Sequence, residues 1–276
     1  MTPNQLQQYL DKLDITLCGV DSGVVRNTFL ASNADLSKLQ KAQHRTIPFE
    51  NFDVFAGDSI SLESEVRFEK LVTHSRGGYC FEVNALFLEV LKTLGYHVQP
   101  KLARVHLSGT PSGRSHQVTL VTVSEEQWVV DVGFGSNTPR APIKLVANVE
   151  QQADFQVFRF IELEDFGYLL QRRVEEGWLD LYSLDLAFAA KGDIEHANHY
   201  TSTSPNAVFT QSITAALATA EGNVTLLDTT LRHRQGEQET KVSELDKHGY
   251  FDVVEREFGI VVPEEKRALI LARLYS

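Results

Sequence analysis

One cysteine of this chain, Cys80, stands where a thiol can act as a nucleophile. Residues 76–80 read RGGYC, and apolar residues then recur at helical spacing as far as Gly95, a typical C-terminal cap. The first turn of a helix offers unpaired backbone N–H groups and the positive end of the helix dipole, and both favour the thiolate over the thiol. Because the thiolate is the reactive form of cysteine, the pattern predicts nucleophilic catalysis.

Two residues further along the chain could activate such a thiol. A cysteine nucleophile needs a base that takes its proton and a third group that orients the base. His116 opens the β-rich run 116–123 and Asp131 lies in the run 128–132, so we expect the two runs to pair as a hairpin. A two-residue turn at 125–126 would leave them on one face but roughly 13 Å apart. A wider connection would place them directly opposite each other, so the sequence predicts a shared face and leaves the register open.

Each of these residues also has a purely structural explanation. A cysteine at the start of an apolar helix is often a buried, unreactive thiol. A histidine at a strand end, such as His116, can simply lie in solvent. Asp131 can cap the turn formed by the glycines that follow it, although valines flank it and an unpaired buried carboxylate costs free energy. Taken alone, the residues leave both readings open.

The elements that must position these side chains change in character along the chain. Residues 1–95 are predicted as a helical domain, with helices at 2–12, 34–45 and 65–74 before the one that begins at Cys80. Residues 96–195 are predicted as an antiparallel sheet or barrel, from β-rich runs at 98–105, 116–123, 128–132, 155–163, 168–174 and 178–184. Residues 196–276 mix both types, with predicted strands at 208–213 and 224–231 and a closing helix at 263–274. The predicted fold class is α+β.

A polar pair is expected in the corner that precedes the glycines. Glu50 lies among bulky apolar residues, where a buried polar group needs a partner. Arg76 is the natural partner, and we expect both residues to support the structure rather than the chemistry.

Composition argues against several classes of function. A formal net charge of −11 without clustered Lys and Arg argues against nucleic-acid binding. The sequence contains no run of about 18 apolar residues, the length needed to span a bilayer, and its N-terminus lacks a secretory pattern. We therefore expect no membrane partner and a cytoplasmic protein. In that compartment Cys18 should stay reduced and inert. We expect no metal, because Cys80 lacks a neighbouring cysteine and His196 and His199 lack a third ligand.

Taken in order, these motifs resemble those of the arylamine N-acetyltransferases. The resemblance spans most of the chain and lies in IPFEN at 47–51, RGGYCFEVN at 76–84, His116, DVGFG at 131–135 and NHYTSTSPNAVF at 198–209. It implies a helical domain, a central β-barrel and a C-terminal α/β lid. It also implies a papain-like catalytic triad of Cys80, His116 and Asp131.

The resemblance further implies a ping-pong acetyl transfer in xenobiotic metabolism. Acetyl-CoA would be the co-substrate, and Cys80 would pass its acetyl group to an arylamine or a hydrazine. Phe49, Phe134 and Phe209 would line the substrate slot, and Gly133 and Gly135 would lie where the pantetheine arm of CoA passes. A homodimer is one possible assembly.

Three other functions fit the same residues. The amide synthases of macrolactam biosynthesis resemble this family and use the same triad on a carrier-bound chain. A papain- or transglutaminase-like hydrolase would use Cys, His and Asp in the same order, with water rather than an amine accepting the acyl group. A binding module would hold Cys80 only as a structural thiol.

Overall fold

The computed structural model describes residues 1–26 and 30–276, in which helices cover an eight-stranded and a five-stranded antiparallel sheet. The α+β class predicted from the sequence is confirmed. The first part of the chain comprises α1 (Pro3–Lys12), β1 (Val20–Asp21), β2 (Val24–Val25), α2 (Asn33–Thr46), β3 (Phe49–Glu50), α3 (Phe52–Ala56), α4 (Ser64–Phe68), a π-helical turn (Glu69–Thr73) and α5 (Cys80–Thr93). The predicted helices are therefore present, and the third is divided between α4 and the π-helical turn.

Helix α5 lies between the other helices and the larger sheet. Its apolar residues Phe87 and Val90 are fully buried and pack with Leu6 of α1. The same cluster contains Val121 and Val130, which belong to the hairpin that bears His116 and ends just before Asp131. The helix that begins at the cysteine is therefore packed against the strands that supply the other two candidate residues.

The larger sheet contains the six β-rich runs that the sequence predicts. Its strands are β4 (His97–Val105), β5 (Arg114–Val123), β6 (Glu126–Val130), β7 (Ile143–Lys144), β8 (Gln151–Ala153), β9 (Gln156–Leu163), β10 (Gly167–Val174) and β11 (Gly177–Leu184). They pair in the order β7-β6-β5-β4-β11-β10-β9-β8. The side chain of Gln151 bridges the two edge strands, with its Oε1 2.8 Å from the Lys144 backbone N and its Nε2 2.8 Å from the Lys144 carbonyl. The sheet is thus nearly closed, like a barrel.

The last part of the chain corrects two predicted strands. It comprises α6 (Lys191–Thr203), α7 (Val208–Gln211), β12 (Thr214–Ala218), β13 (Gly222–Leu227), β14 (Thr230–Gln235), β15 (Gln238–Glu244), α8 (Tyr250–Phe258) and α9 (Glu264–Leu274). The strand predicted at 208–213 was wrong, because most of that run is the helical turn α7. The hydroxyl of Thr210 donates to the carbonyls of Ser204 (2.8 Å) and Ala207 (2.9 Å), and such side-chain bonds favour a turn over a ladder.

The single strand predicted at 224–231 was also wrong, because the chain reverses at Asp228. Asp228 has a φ of 50° and accepts a hydrogen bond from the Ile213 backbone N–H at 2.9 Å. Apolar residues continue on both sides of this turn, so the run gave no local sign of the reversal.

Some contacts cross the three regions predicted from the sequence. Strand β3 pairs with β12, with Glu50 opposite Ala215, so a piece of the first region forms the edge of the C-terminal sheet. The predicted boundary after residue 195 falls inside α6. The division at 95 and 195 therefore stays a prediction. Among residues 1–26 and 30–276, we find no helix with the length and apolar character to cross a membrane.

Candidate active site

Two glycines allow the chain to turn tightly into the N-terminus of α5. A Cβ on Gly77 would lie 2.1 Å from the Pro48 carbonyl oxygen, and one on Gly78 would lie 2.7 Å from a carboxylate oxygen of Glu82. Glu82 in turn accepts a hydrogen bond from the Tyr79 backbone N–H at 3.1 Å, which caps the helix. Cys80 follows at the first helical position, only 3% exposed, with its Sγ 4.0 Å from the Ser115 carbonyl oxygen.

The hairpin that bears His116 has a register that neither alternative from the sequence anticipated. Its two-residue turn is Ser124 and Glu125, with φ of 50° and 67°, one position earlier than the tight turn that we considered. The register pairs Thr119 with Val130, so that Asp131 would extend opposite position 118, two residues from His116. Both proposed registers were wrong, but the predicted shared face was right. A diagonal pair on one face is within reach of long side chains.

The two carboxylate oxygens of Asp131 bind different partners. Its Oδ2 lies 2.7 Å from His116 Nε2. Its Oδ1 accepts hydrogen bonds from the Gly133 backbone N–H at 2.8 Å and from Asn84 Nδ2 at 2.9 Å. The two readings of Asp131 from the sequence, a partner for histidine and a cap for the glycine turn, are thus both present in one side chain.

Asn84 is a residue whose part in the site the sequence reading missed. Besides its bond to Asp131, its Nδ2 donates to the Gln117 carbonyl at 2.7 Å and its Oδ1 accepts from the Val132 backbone N–H at 2.9 Å. Asn84 is fully buried and stands four residues after Cys80, so both side chains lie on one helix face. That spacing was the signal that could have identified it.

Gly133 permits this close contact between the strand end and α5. A Cβ there would lie 2.6 Å from Val83 Cγ2 and 2.9 Å from Asn84 Nδ2. Any larger residue would push Asp131 away from the helix. Gly135, by contrast, has a φ of 59°, and a Cβ on it would lie 3.9 Å from the ring of Phe49.

The buried pair of His116 and Asp131 favours charge on both groups. Burial opposes protonation of His116, but the charge of Asp131 and hydrogen bonds to Asp131 and Cys80 outweigh it and raise the pKa of His116. Burial likewise opposes ionisation of Asp131, but the charge of His116 and the hydrogen bonds from His116, Asn84 and Gly133 lower the pKa of Asp131. Since Nε2 of His116 faces Asp131, its Nδ1 is the nitrogen left for Cys80.

Aromatic rings enclose this pair and the cysteine. The ring of Phe134 lies 4.7 Å from that of His116 between centroids, and the ring of Tyr182 lies 5.1 Å from it on β11. Burial and the neighbouring Asp131 carboxylate raise the pKa of Tyr182 well above its usual value. Phe49 and Phe209 lie 5.7 Å apart and pack in the apolar cluster that contains Cys80. The sequence offered no sign of Tyr182, since it comes from a strand far along the chain.

A group of buried and half-buried charges, which we call the ion network, lies behind the glycine turn. The predicted pair is present, with Arg76 Nε 2.9 Å from Glu50 Oε1, and Arg76 also lies 2.9 Å from Asp53 Oδ2. Lys70 joins Asp53 (2.8 Å) to Glu82 (2.7 Å), the residue that caps α5. Lys266 of α9 lies 2.6 Å from Asp53. The ion network is therefore Glu50, Asp53, Lys70, Arg76, Glu82 and Lys266.

No group of three or more His, Cys, Asp or Glu that could hold a metal ion occurs in the part of the chain that the structure describes.

Comparisons with known proteins agree on one family. A family model described as N-acetyltransferase matches residues 34–267. An arylamine N-acetyltransferase / N-hydroxyarylamine O-acetyltransferase of Salmonella typhimurium is 33% identical over 243 residues, which cover 87% of this chain and 86% of that protein. An arylamine N-acetyltransferase of Mycobacterium tuberculosis is 35% identical over 237 residues, 83% of each chain.

Solved structures give the same result for the fold. The arylamine N-acetyltransferase of Salmonella typhimurium superposes with a TM-score of 0.90 at 29% identity and 99% coverage of both chains. The Mycobacterium marinum arylamine N-acetyltransferase in complex with CoA superposes with a TM-score of 0.85 at 30% identity and 98% coverage of both chains.

Proposed function

The chain belongs to the arylamine N-acetyltransferase family, and from that premise we propose that it acetylates arylamines and hydrazines through a thioester on Cys80, with acetyl-CoA as the donor. The observation that carries the proposal is the placement of His116 between Asp131 and Cys80, with a raised pKa. An imidazolium held in this way is the natural counter-ion of a cysteine thiolate.

In the first half-reaction, the Cys80 thiolate attacks the carbonyl carbon of acetyl-CoA. A new C–S bond forms to Cys80, the C–S bond to CoA breaks, and the His116 imidazolium gives its proton to the departing CoA sulfur. The Cys80 backbone N–H, in the first turn of α5, is suited to stabilise the oxyanion of the tetrahedral intermediate. Cys80 then holds the acetyl group and His116 is neutral.

In the second half-reaction, the amine nitrogen attacks the acetyl carbon and the Cys80 sulfur leaves as a thiolate. His116 takes the proton that the nitrogen loses, which restores the starting ion pair. A weakly basic arylamine is mostly unprotonated at neutral pH, so an apolar slot serves it better than a strong base.

Several residues receive roles under this proposal. Phe49, Phe134 and Phe209 line the acceptor slot, supported by their packing against His116 and in the cluster with Cys80. Gly133 and Gly135 lie where the pantetheine arm of the donor passes, and Gly135 leaves room for it beside the ring of Phe49. Residues 196–276 act as a lid over the site that the two preceding regions form.

Mass spectrometry of the intact protein tests the proposal directly. After incubation with acetyl-CoA and no acceptor, we expect the wild type to gain one acetyl group and Cys80→Ala to gain none. Cys18→Ala is the matched control, because Cys18 is an exposed thiol, and it should be acetylated like the wild type. Addition of an arylamine or a hydrazine should then remove the acetyl group and yield the acetylated amine. A wild type that gains no acetyl group would overturn the proposal, and loss of the group to water alone would favour a hydrolase.

A further inference from the structure

The segment after β11, residues 185–189, is held in an unusual conformation. Leu186 has a φ of 59°, in the left-handed region that a branched side chain adopts only at a cost in free energy. Strain of this kind persists where the surrounding structure imposes it, and it concentrates at ligand sites.

Two basic side chains, Lys101 and Arg114, form hydrogen bonds with this segment. Lys101 is only 5% exposed, and its Nζ donates to the carbonyls of Leu186 at 2.7 Å and Ala187 at 3.2 Å. Asp185 accepts from Arg114 Nε at 2.9 Å and from the Ala187 backbone N–H at 3.1 Å. Two hydrogen bonds from one lysine thus restrain the backbone at Leu186 and Ala187.

The residue that this segment presents is Phe188. Its side chain is 84% exposed, the highest value for a large apolar residue in the described part of the chain. Phe188 lines a cavity of about 450 Å³, together with Leu102, Ala189, Ala197 and Tyr200. An aromatic ring that packs against little of its own protein, on a backbone restrained by its neighbours, is suited to stack on a ligand.

This cavity lies beside the candidate nucleophile. Ser115 lines it, and the Ser115 carbonyl oxygen lies 4.0 Å from Cys80 Sγ. Leu102 and Ala189, which form part of its wall, belong to the same apolar cluster as Cys80. A ligand that extends from Cys80 past Ser115 would enter this cavity, where Phe188 forms part of the wall.

Volume and charge indicate which substrate fits. About 450 Å³ is within the range of pockets for drug-sized ligands, and it exceeds what a single amine-bearing ring fills. The wall has two cations, Arg104 and Arg114, and two anions, Asp185 and Asp193, so its formal charges cancel. Such a wall suits a largely neutral aromatic amine better than the several phosphate charges of CoA.

We propose that Phe188 is a specificity-determining residue that binds the distal ring of an extended aromatic amine, and that Lys101 positions it. This inference rests on the proposed function, since it requires an acetyl group on Cys80. The acceptor's amine lies at Cys80 between Phe134 and Phe209, and its second ring stacks on Phe188.

Selectivity between a two-ring and a one-ring amine tests this assignment. We would measure kcat/KM for 4-phenylaniline and for aniline at saturating acetyl-CoA, in the wild type and in Phe188→Ala. The expected result is that the ratio of the two values falls roughly tenfold in the variant, through the two-ring amine. Lys101→Met should lower the ratio in the same direction, whereas Leu227→Ala, which removes a 51% exposed apolar side chain elsewhere, should leave it unchanged.

Each half-reaction can be followed separately, so failure of the proposed function can be distinguished from failure of the assignment of Phe188. A wild type without acetylated Cys80 would refute the proposed function itself. Normal acetylation with an unchanged ratio in Phe188→Ala would overturn only the assignment of Phe188. A fall in the rate of Cys80 acetylation by acetyl-CoA, with an unchanged ratio, would place the adenine of the donor on Phe188 and would overturn the assignment to the acceptor.

Discussion

The protein buries charge in two adjacent places on either side of the first turn of α5, and the two are built differently. In the ion network, three carboxylates face two lysines and an arginine, and each of these charges has a partner of opposite sign within 2.9 Å. In the candidate triad, one carboxylate faces one imidazole, and the third member is a thiol. In the network each charge has a fixed partner of opposite sign, whereas the charge of the candidate triad depends on one proton shared by His116 and Cys80.

Because of this difference, we expect one group of residues to determine the stability of the glycine turn and the other, a few residues away, to determine the reactivity of Cys80. Breaking a matched buried pair leaves a charge without compensation, so the network should determine whether the turn folds. Moving the proton of His116 changes reactivity without removing any atom from the packing. Glu82 belongs to the network and caps the helix of Cys80, so it is the point where the two regions meet.

Asp131→Asn should separate chemistry from stability with the largest effect. The new amide oxygen can still accept from Gly133 and Asn84, so the fold should be kept. The amide nitrogen, however, would face His116 Nε2 and force the other tautomer, with its N–H directed at Cys80 instead of a free lone pair. We expect kcat to fall on the order of 10³- to 10⁴-fold. Steady-state kinetics on a variant with a wild-type circular dichroism spectrum would show this, and a fall of less than tenfold would contradict the role of Asp131.

The same variant should change how stability depends on pH. The pKa of His116 is raised in the folded state, so its contribution to stability is complete below the usual histidine pKa of about 6.5 and is lost as pH rises through the raised value. Asp131 stays ionised in this range because its own pKa is lowered. The difference in unfolding free energy between wild type and variant should be largest near about pH 5 to 6 and shrink toward alkaline pH. Urea unfolding at several pH values measures it, and a constant difference would contradict the coupling.

The two regions also differ in how far the sequence could predict them. Glycines, the position of Cys80 and the alternation around His116 and Asp131 are local patterns, and they predicted a helix that begins at the cysteine and a face shared by His116 and Asp131, but not the register. The register depended on left-handed conformations at Ser124 and Glu125, residues that do not signal such a turn as Asn-Gly would.

Long-range partners were beyond any local pattern. The sequence paired Arg76 with Glu50 correctly, because each charged side chain needed a partner in an apolar corner and few other candidates were near. Lys266 reaches Asp53 across 213 positions of the chain, and nothing in the spacing of either residue indicates the other. Tyr182 likewise reaches the triad only because β11 lies on the far side of β4 in the sheet.

Arg76→Met should have the next largest effect, and on stability rather than chemistry. It would leave Glu50 and Asp53 short of a cation in a buried place, which costs about 3 to 5 kcal/mol of unfolding free energy. The matched control is Arg26→Met, an exposed arginine paired with the exposed Asp21, which should leave stability nearly unchanged. Chemical denaturation measures both. A variant of wild-type stability that lost its activity would make Arg76 a catalytic cation, and the ion network would then belong to the chemistry.

Glu82→Gln should have the smallest effect, because it removes one charge but keeps the shape of the side chain that links the ion network to the helix of Cys80. The amide oxygen can still cap Tyr79, and Lys70 keeps Asp53, so we expect a change in unfolding free energy of about 1 kcal/mol at neutral pH. Burial, against the opposing charge of Lys70, raises the pKa of Glu82, so its contribution to stability is present at low pH and is lost as pH rises through the raised value. Relative to the glutamine variant, the wild type should therefore be most stable in acid and lose that advantage toward neutral pH.

Because glutamine leaves the backbone of α5 in place, iodoacetamide should label Cys80 at a similar rate in both proteins. A large change in that rate would mean that the ion network sets the reactivity of the nucleophile as well as the stability of the turn.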